Sequence, residues 1–276
     1  MTVIPILLYH SVASDPASWI APFTVTPDAF ARQLDLIAEK GRTPMSISEL
    51  IDALQGRSTL PDKPVAITFD DGFADFIGAA EQLANRRMKS TLYVTTGALD
   101  GTRSQPSGWV LPKARMLAWS QLADLADSGV EIGAHTHTHP QLDTMRVADA
   151  GREIRVGKQL LEDHLGREVP SFAYPHGFQS ARLQREVEAA GYTSACGVMD
   201  ALSSHDDRAF CLARLTVRSS TPHAELADWL DGRGARVAPY PEALKTKAWR
   251  AFRRGRGARS TRGVVNTRPA KSKDDR

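Results

Sequence analysis

Two adjacent aspartates end a segment that is typical of a buried strand. Residues 65–69 read VAITF, an apolar and β-rich run of the kind found in parallel sheets. Asp70 and Asp71 follow directly, and Gly72 comes next. One aspartate is enough to form a turn or to cap a helix, so neither of these roles explains the pair. The second carboxylate therefore predicts a chemical role for this strand end.

A histidine-rich segment, GAHTHTHPQL, carries a complementary set of groups. His135 and His139 lie four residues apart, which places both imidazoles on one side if the chain turns helically after a strand. Neutral imidazole suits zinc, and a catalytic zinc typically keeps three protein ligands and one open position. Asp70 or Asp71 would complete that ligand set. His137, between the two histidines, is expected to point elsewhere.

The aspartate that does not bind the metal can act as a general base on the attacking water. Adjacent residues at a strand end point in different directions, so one carboxylate can reach the metal while the other faces the water. Attack on an amide or ester carbonyl gives a tetrahedral oxyanion, and its collapse needs an acid to protonate the leaving amine. His10, isolated at the end of the first predicted strand, is the expected acid.

Strand and helix patterns alternate along the chain, which argues for a parallel sheet with covering helices. About seven strands, with no GxGxxG or GxxxxGK[ST] loop, favour a barrel over a nucleotide-binding open sheet. Ser46 with Glu49 predicts a capping box, and Ser120 predicts a second helix cap. The predicted strands are 3–9, 65–69, 91–95, 131–134, 171–174, 194–198 and 212–217. The predicted helices are 27–39, 46–55, 73–86, 120–129, 147–165, 181–190 and 222–230.

In a barrel of this kind, functional side chains lie where strands end and loops begin. Four predicted strand ends carry reactive groups: residues 9–10, 70–71, 135–139 and 174–177. Together they hold five of the eight histidines and the acidic pair, so the sequence predicts one shared site. The remaining histidines, His164, His205 and His223, are typical of ordinary surface or core positions.

The composition is that of a globular domain. The 276 residues are 42% hydrophobic and 24% charged, and no apolar run is long enough to span a membrane. The N-terminal MTVIPILLYHSV lacks a basic region and a small-residue cleavage site, so we interpret it as a first strand rather than a signal peptide. Two cysteines argue against a disulfide scaffold. A cytoplasmic location is the resulting expectation.

The net charge of +3 is unevenly distributed. Residues 245–276 carry twelve of the 35 basic residues and two of the 32 acidic ones, so the rest of the chain is acidic. We predict a catalytic domain over residues 1–232 and a basic tail over residues 233–276. The ALKTKAWRAFRR segment of the tail could lie on an anionic membrane, and the remainder has the composition of a disordered, solvated chain. The acidic domain and the lack of a recognition motif argue against nucleic-acid binding.

These motifs resemble those of the polysaccharide deacetylase family, the NodB-homology domain of carbohydrate esterases. The family motif T-F-D-D-G is present at residues 68–72, and H-[ST]-x-[ST]-H is present at residues 135–139. The two motifs occur in the family order on successive predicted strand ends. The resemblance extends from His10 to about Val217.

The resemblance implies a fold, a ligand set and a base. The fold would be a distorted (β/α)7-type barrel. A divalent metal would be held by Asp71, His135 and His139, and Asp70 would be the general base. Zinc is the ion we expect from the ligand types, and cobalt or nickel can occupy the same ligands.

The sequence departs from the commonest family pattern at the third motif. The segment SFAYPHG lacks the arginine that often precedes P-x-G and orients the base. It resembles an F-A-Y-P-Y-G subgroup in which His176 replaces the second aromatic residue. The resemblance implies that Tyr174 and Pro175 line the groove and that the backbone N–H of His176 helps to hold the oxyanion. We hypothesise that Arg214, in LARLTV, supplies the missing ion pair to Asp70.

The C-terminal L-x-x-H motif of the family is not evident either, because His223 falls at a predicted helix start. The subgroup resembles an arrangement in which the acid histidine comes from an N-terminal L-Y-H strand. Here that strand end reads Leu8-Tyr9-His10. The resemblance thus supports His10 as the acid independently of the argument from its isolated position.

Family resemblance implies removal of an N-acetyl group from an amino sugar of a glycan, an oligosaccharide or a lipid-linked saccharide. Trp109, Trp119 and Tyr174 are candidates to stack on a sugar ring. The expected location favours a nascent or lipid-linked saccharide at the inner face of the membrane. An O-acetyl esterase, a deformylase or a non-sugar amidase could use the same metal site. A catalytically silent carbohydrate-binding barrel is a further alternative, against which the base, the acid and the ligands argue together.

Overall fold

The computed structural model describes residues 2–102, 111–112 and 114–240, which form twelve strands and seven α-helices. The strands are β1 (Val3–Ile4), β2 (Ile6–Tyr9), β3 (Ser11–Val12), β4 (Thr24–Val25), β5 (Thr43–Met45), β6 (Pro64–Phe69), β7 (Ser90–Val94), β8 (Val130–Ala134), β9 (Ser171–Ala173), β10 (Ser194–Cys196), β11 (Ser203–Ser204) and β12 (Leu215–Thr216). The helices are α1 (Pro27–Glu39), α2 (Ile47–Leu54), α3 (Phe76–Asn85), α4 (Trp119–Asp127), α5 (Val147–Leu165), α6 (Ala181–Ala189) and α7 (His223–Leu230). Short 3-10 turns occupy Ala21–Phe23, Leu142–Thr144 and Pro175–Gly177.

Eight strands form one curled sheet in which all the pairings are parallel. Its order is β10-β9-β8-β7-β6-β2-β12, and β5 also pairs with β6. At the open side, an isolated parallel bridge joins Cys196 of β10 to Leu212, just before β12. The sheet curls into a half-barrel, and its parallel strands agree with the parallel sheet that the alternating pattern predicts. The additional strand, β5, escaped prediction because it is three residues long and contains a proline.

An aromatic cluster in the core lies immediately before the paired aspartates. The strands β2 and β6 are buried along their whole length, as expected for parallel strands covered on both faces. The ring centroid of Phe69 lies 5.3 Å from that of Tyr9 and 4.7 Å from that of Phe76 in α3. Phe30 of α1 meets both Tyr9 and Phe69 edge-on. Because Phe69 is held on three sides, the end of β6 that carries Asp70 is fixed in place.

Local capping signals set several helix boundaries. The hydroxyl of Thr26 accepts a hydrogen bond from the N–H of Ala29 at 3.2 Å, and α1 begins directly after Thr26. Ser46 and Glu49 form the predicted capping box at the start of α2. The bounds of α1 and α5 agree with the prediction residue for residue.

Other boundaries differ from the prediction for identifiable reasons. The first predicted strand is divided at Pro5 into β1 and β2, since proline has no N–H to donate to a ladder. Helix α3 begins at Phe76, three residues late, because the N–H of Ala74 donates to the carbonyl of Arg115 and the preceding turn stays outside the helix. Ser120 lies inside the first turn of α4 and does not cap it.

The folded domain continues beyond residue 232. The N–H of Leu202 donates to the carbonyl of Arg236, and the N–H of Ala238 donates to the carbonyl of Leu202, both at 2.8 Å. The Tyr240 hydroxyl donates to the carbonyl of Met199 at 3.2 Å. The basic segment from residue 241 onward, including the candidate membrane-binding stretch, lies outside the described residues. In the part of the chain that is described, no helix is both long enough and apolar enough to cross a bilayer.

Candidate metal and catalytic site

The predicted strand ends meet at one cavity of about 440 Å³. This volume lies within the range of about 300–1,000 Å³ that is typical of small-molecule sites. The candidate side chains in its wall are His10, Asp70, Asp71, His135, His139 and His176. They come from the ends of β2, β6, β8 and β9, which lie at the same edge of the parallel sheet. The fold therefore assembles the predicted residues at one site.

Asp71, His135 and His139 form a buried cluster with the geometry of a metal site. One ligand atom from each residue can be chosen so that all three lie within 4.8 Å of one another. The Oδ1 atom of Asp71 is 3.2 Å from Nε2 of His139 and 3.5 Å from Nε2 of His135. This buried oxygen accepts no hydrogen bond from the described residues. Two nitrogens and a carboxylate oxygen around such a point fit a divalent ion such as zinc.

The protonation states of the cluster also suit a metal. The Nδ1–H group of His135 donates to the carbonyl of Ala173 at 2.8 Å, which leaves the Nε2 lone pair facing Asp71. Burial lowers the pKa of His135 to about 4, even though Asp70 and Asp71 oppose the shift, so this imidazole is neutral at neutral pH. Burial also opposes the charge of Asp71, but the adjacent His139 imidazole holds the pKa of that carboxyl well below its usual range. Neutral imidazole and ionised carboxylate are the forms that bind metal.

His137 faces away from this cluster, as predicted from its place between the two ligands. Its Nδ1 atom lies 2.8 Å from the hydroxyl oxygen of Thr96. The N–H of His137 donates to Glu153 at 3.1 Å. Within the described residues, the metal-type cluster contains Asp71, His135 and His139 without His137.

Three residues of the cluster region have left-handed backbone conformations that favour glycine. The φ angles are 76° at Asp71, 65° at Thr136 and 58° at His139. Each such conformation in a non-glycine residue costs on the order of 1–3 kcal/mol and is found mostly at functional sites. The Thr136 hydroxyl oxygen accepts a hydrogen bond from the N–H of His139 at 2.9 Å, which offsets part of that cost and fixes the turn.

Glu153 of α5 stabilises the turn between His135 and His139 through hydrogen bonds. Its carboxylate accepts hydrogen bonds from the N–H of His137 at 3.1 Å and from the N–H of Thr138 at 2.7 Å. It also accepts from the Thr138 hydroxyl at 2.9 Å. This role of Glu153 could not be predicted from the sequence, because the pattern of an amphipathic helix does not distinguish a glutamate that contacts a turn from one in solvent.

Replacing Glu153 with alanine is expected to lower zinc affinity by roughly 10- to 100-fold, the usual effect of losing a group that orients metal ligands. The reason is that two backbone N–H groups and one hydroxyl in the turn between the ligands lose their acceptor. Competitive zinc titration measures the effect. Asp163→Ala on the same helix, at an exposed position, is the matched control. Equal zinc affinity in the two variants would contradict the positioning role of Glu153.

Asp70 lies beside the cluster and is held by a buried arginine. The guanidinium of Arg214 donates to Oδ1 and Oδ2 of Asp70 at 2.7 Å each. Arg214 is fully buried, and two of its other N–H groups donate to the Thr68 hydroxyl at 3.2 Å and to the carbonyl of Gly197 at 2.9 Å. Burial opposes ionisation of Asp70, but the charge of Arg214 lowers the pKa of that carboxyl below its ordinary value. Asp70 is thus an ionised carboxylate 3.8 Å from Nε2 of His135. Arg214, the hypothesised partner of Asp70, is therefore in contact with it.

His10 and His176 also line the cavity, and each is held there by different ring contacts. The ring centroid of His10 lies 5.3 Å from that of Phe23, and its buried Nδ1 has no hydrogen-bond partner among the described residues. His176 has a φ of 58°, and its ring packs edge-on against His139 at 4.7 Å. The catalytic roles assigned to these residues stay predictions.

The aromatic wall of the cavity differs from the predicted one. Tyr174 is fully buried, its ring packs against Phe172 at 5.3 Å, and its hydroxyl donates to the carbonyl of Phe210. Pro175 is also buried, and neither side chain belongs to the cavity wall. Both residues are thus buried next to the cavity rather than in its wall, and their proposed role in lining the substrate groove stays a prediction.

Of the two tryptophan candidates, Trp119 serves packing rather than the cavity. Its Nε1–H group donates to the Thr102 hydroxyl oxygen at 3.1 Å, and its ring packs against His164. Trp109 lies outside the described residues. Trp19 and Phe23 line the cavity instead, from the loop that follows β3. The SWIAPF segment shows no hydrophobic periodicity. Only its position soon after the end of the first predicted strand could have indicated that its aromatic residues lie near the site.

A sequence model of the family described as polysaccharide deacetylase matches residues 57–195, half of the chain. The chain belongs to the polysaccharide deacetylase family. It is therefore a hydrolase of the polysaccharide deacetylase type. The matched stretch contains Asp70, Asp71, His135 and His139, whereas His10 and Arg214 lie on either side of it.

Two named proteins are similar in sequence to part of this deacetylase. YxkH of Bacillus subtilis (strain 168), which carries the provisional name of a polysaccharide deacetylase, is 23% identical over 215 residues, covering 78% of this chain and 71% of YxkH. The poly-beta-1,6-N-acetyl-D-glucosamine N-deacetylase of Escherichia coli (strain K12) is 26% identical over 133 residues. That match covers 46% of this chain and 20% of the E. coli enzyme, so the chain spans a minor part of its length.

Solved structures share the fold. The Streptococcus pyogenes deacetylase PplD, in complex with acetate, matches with a TM-score of 0.71 at 24% identity, covering 81% of this chain and 96% of PplD. IcaB from Ammonifex degensii matches with a TM-score of 0.61 at 22% identity, covering 92% of this chain and 98% of IcaB. The predicted NodB-type barrel is thereby confirmed as the fold of this deacetylase.

Proposed function

We propose that this protein hydrolyses N-acetyl groups from amino sugars of a glycan, an oligosaccharide or a lipid-linked saccharide, with a divalent metal at Asp71, His135 and His139. The observation that carries the proposal is the buried ligand cluster with an arginine-paired carboxylate beside it, at one cavity. The name of the E. coli relative supports N-acetylglucosamine as the sugar to test first.

Zinc is the proposed metal, because two imidazoles and one carboxylate suit it, and cobalt or nickel could take the same ligands. A divalent ion bound there would supply an activated water and polarise the acetyl carbonyl. The three residues would hold the ion through Nε2 of each histidine and through an oxygen of Asp71. Their burial excludes competing bulk water from these atoms.

The proton transfers and the orientation of the base depend on Asp70, Arg214 and His10. Asp70 accepts the proton of the attacking water, and its low pKa keeps it ionised and ready to do so at neutral pH. Arg214 fixes the orientation of that carboxylate through two parallel hydrogen bonds. His10 donates a proton to the departing nitrogen as the C–N bond breaks, and acetate and the free amino sugar leave. The backbone N–H of His176 is the proposed donor to the oxyanion.

The reaction class is tested by acetate release from β-1,6-linked N-acetylglucosamine oligomers and from lipid-linked N-acetyl sugars, with and without a chelator. Chelation is expected to reduce release by at least about 100-fold, because removal of the ion would remove both the activated water and the polarisation of the acetyl carbonyl. Added zinc, cobalt or nickel should restore it. His139→Ala is expected to behave as the chelated protein does.

The controls separate the proposal from its alternatives. Asp163→Ala, at an exposed position on α5, should respond to chelator and metal as the unaltered protein does. Acetate release that is indifferent to the chelator would contradict metal dependence. Chelator-sensitive release from O-acetyl esters or from a non-sugar amide, with none from N-acetyl sugars, would replace the proposed substrate while keeping the site.

A further inference from the structure

Tyr93 of β7 points to the opposite side of the sheet from its neighbours along the strand. Leu92 and Val94 pack in the large core that contains α1 and α3, whereas Tyr93 packs in a smaller cluster with Ala66 of β6 and Cys196 of β10. Alternate side chains of a strand face opposite sides of a sheet, and these helices cover the outer side. The fully buried ring of Tyr93 therefore lies inside the half-barrel.

The ring of Tyr93 faces the arginine that holds the proposed base. The central guanidinium carbon of Arg214 lies over this ring, 5.5 Å from its centroid. The N–H groups of Arg214 donate to Asp70, to the Thr68 hydroxyl and to the carbonyl of Gly197. Because these donors lie in the guanidinium plane, they hold the group at its edge, and the ring holds it at one face. Cation–π attraction of this kind is strongest between desolvated groups, and both side chains are fully buried.

A glycine directly across the sheet makes room for this ring. In the parallel pairing of β7 with β8, Gly133 is the register partner of Tyr93. A Cβ atom at position 133 would lie 2.5 and 2.6 Å from two ring carbons of Tyr93 and 2.7 Å from the hydroxyl oxygen of Ser171. Gly133 does not have a positive φ angle. The space that the ring needs, rather than the backbone conformation, therefore explains the glycine.

The hydroxyl end of Tyr93 meets a neutral group. Its oxygen lies 3.3 Å from Sγ of Cys196. Burial raises the pKa of the Tyr93 hydroxyl well above its usual value and raises the pKa of the Cys196 thiol to about 12, so both groups are uncharged at neutral pH. Neither group therefore competes with Asp70 for the charge of Arg214. The next residue, Gly197, provides the carbonyl that accepts from Nε of Arg214 at 2.9 Å, so the ring and the guanidinium are held at the same strand end.

We infer that Tyr93 is a positioning residue for the reaction: its ring fixes the guanidinium of Arg214 and, through it, the orientation of the Asp70 carboxylate. Gly133 is part of the same arrangement, because a side chain there would meet the ring. The inference rests on the proposed N-deacetylase function. It adds that the orientation of the base depends on a ring that belongs neither to the cavity wall nor to the ligand cluster.

Tyr93→Leu is expected to lower kcat roughly 10- to 100-fold, since a misplacement of about 1 Å can cost about 100-fold in rate. KM and zinc affinity should stay near their native values, because the cavity wall and the ligand cluster are unaltered. Tyr93→Phe keeps the ring, so most of the native kcat should be retained. Tyr192→Leu is the matched control, because it removes a buried tyrosine that packs with the helices and donates to the carbonyl of Ile154. It should leave kcat per folded molecule unchanged.

A double-mutant cycle with Arg214→Met separates positioning from a general loss of packing. Tyr93→Leu should reduce kcat by much less in the Arg214→Met background than in the native one, because the arginine through which it acts is already absent. An equal reduction in both backgrounds would overturn the inference, as would a native kcat in Tyr93→Leu. Gly133→Ala, measured at saturating zinc, should reproduce the fall in kcat and its dependence on Arg214, and it replaces Tyr93→Leu if that variant does not fold.

The NMR signal of the Arg214 Nε–H group tests the contact without the reaction. The signal is identified by its absence from Arg214→Lys. An aromatic ring shifts the resonance of a group that lies over it, so Tyr93→Leu should move the signal and Tyr93→Phe should nearly preserve its position. This pattern in a protein that releases no acetate from N-acetyl sugars would support the positioning of Arg214 by Tyr93 and contradict the proposed function. A signal that Tyr93→Leu leaves in place, in a protein that does release acetate, would overturn the inference alone.

Discussion

Replacing Asp70 with asparagine is expected to reduce turnover by roughly 10²- to 10⁴-fold while zinc stays bound, the range typical of losing a general base. Asparagine has nearly the same shape but cannot accept a proton at neutral pH. The proposed metal ligands are Asp71, His135 and His139, so the substitution leaves that ligand set unchanged. Acetate release and bound zinc, measured on the same preparation, check both halves of the expectation. Undiminished turnover would overturn the assignment of Asp70 as the base.

The buried arginine complicates this substitution and also suggests its control. Asp70→Asn leaves the fully buried guanidinium of Arg214 without a counter-charge, and breaking a buried pair in this way costs about 3–5 kcal/mol. The double variant Asp70→Asn with Arg214→Met removes both charges and should recover much of that stability without recovering turnover. Asp207→Asn alters a partly buried, hydrogen-bonded aspartate outside the cavity and controls for the change of charge. Turnover that returned with stability in the double variant would show that Asp70 acts structurally.

The reactive groups could be located from the sequence because their positions are local properties of strand ends. Asp70 and Asp71 follow a run whose burial is evident from its composition, and His135 follows another. In a parallel sheet the carboxyl ends of the strands share one edge, so a residue that directly follows a strand lies at or close to the site. The turn that brings His139 back to His135 needs left-handed backbone at Thr136 and His139, which spacing alone does not reveal.

The supporting groups could not be located in the same way, because they depend on contacts between distant parts of the chain. Arg214 lies 144 positions from Asp70, and only a hypothesis drawn from a missing motif residue connected them. Glu153 lies in a helix whose amphipathic pattern is the same whether the glutamate is in solvent or in contact with a neighbouring turn. Tyr174 directly follows a three-residue strand, which is too short for alternation to decide which way the tyrosine ring points. Trp19 lies in a loop, where no repeating hydrophobic pattern is available from which its contacts could be predicted.

Replacing Arg214 with methionine is expected to move the acid limb of the pH profile of kcat/KM to higher pH. In the native protein, burial raises the pKa of Asp70, but the charge and hydrogen bonds of Arg214, together with nearby His135 and His10, lower it below its ordinary value. Without the guanidinium, burial dominates and the pKa of Asp70 rises above its ordinary value. The carboxylate then takes up a proton at a higher pH than before, so turnover is lost earlier as the pH falls. A low folded-state pKa contributes stability that is present above the unfolded value near 4 and lost below it. The variant lacks that stability at neutral pH.

Arg214→Lys separates charge from geometry. Lysine restores a positive charge but not the paired hydrogen bonds to Oδ1 and Oδ2 of Asp70, because an ammonium cannot form the planar fork of a guanidinium. The acid limb should therefore return towards its native position, while kcat at the plateau stays well below that of the native enzyme, since the carboxylate is no longer held in one orientation. Thermal unfolding at neutral pH should rank the native protein above the lysine variant and the lysine variant above the methionine variant. Native activity and a native pH profile in Arg214→Met would rule out the ion pair as the device that orients the base.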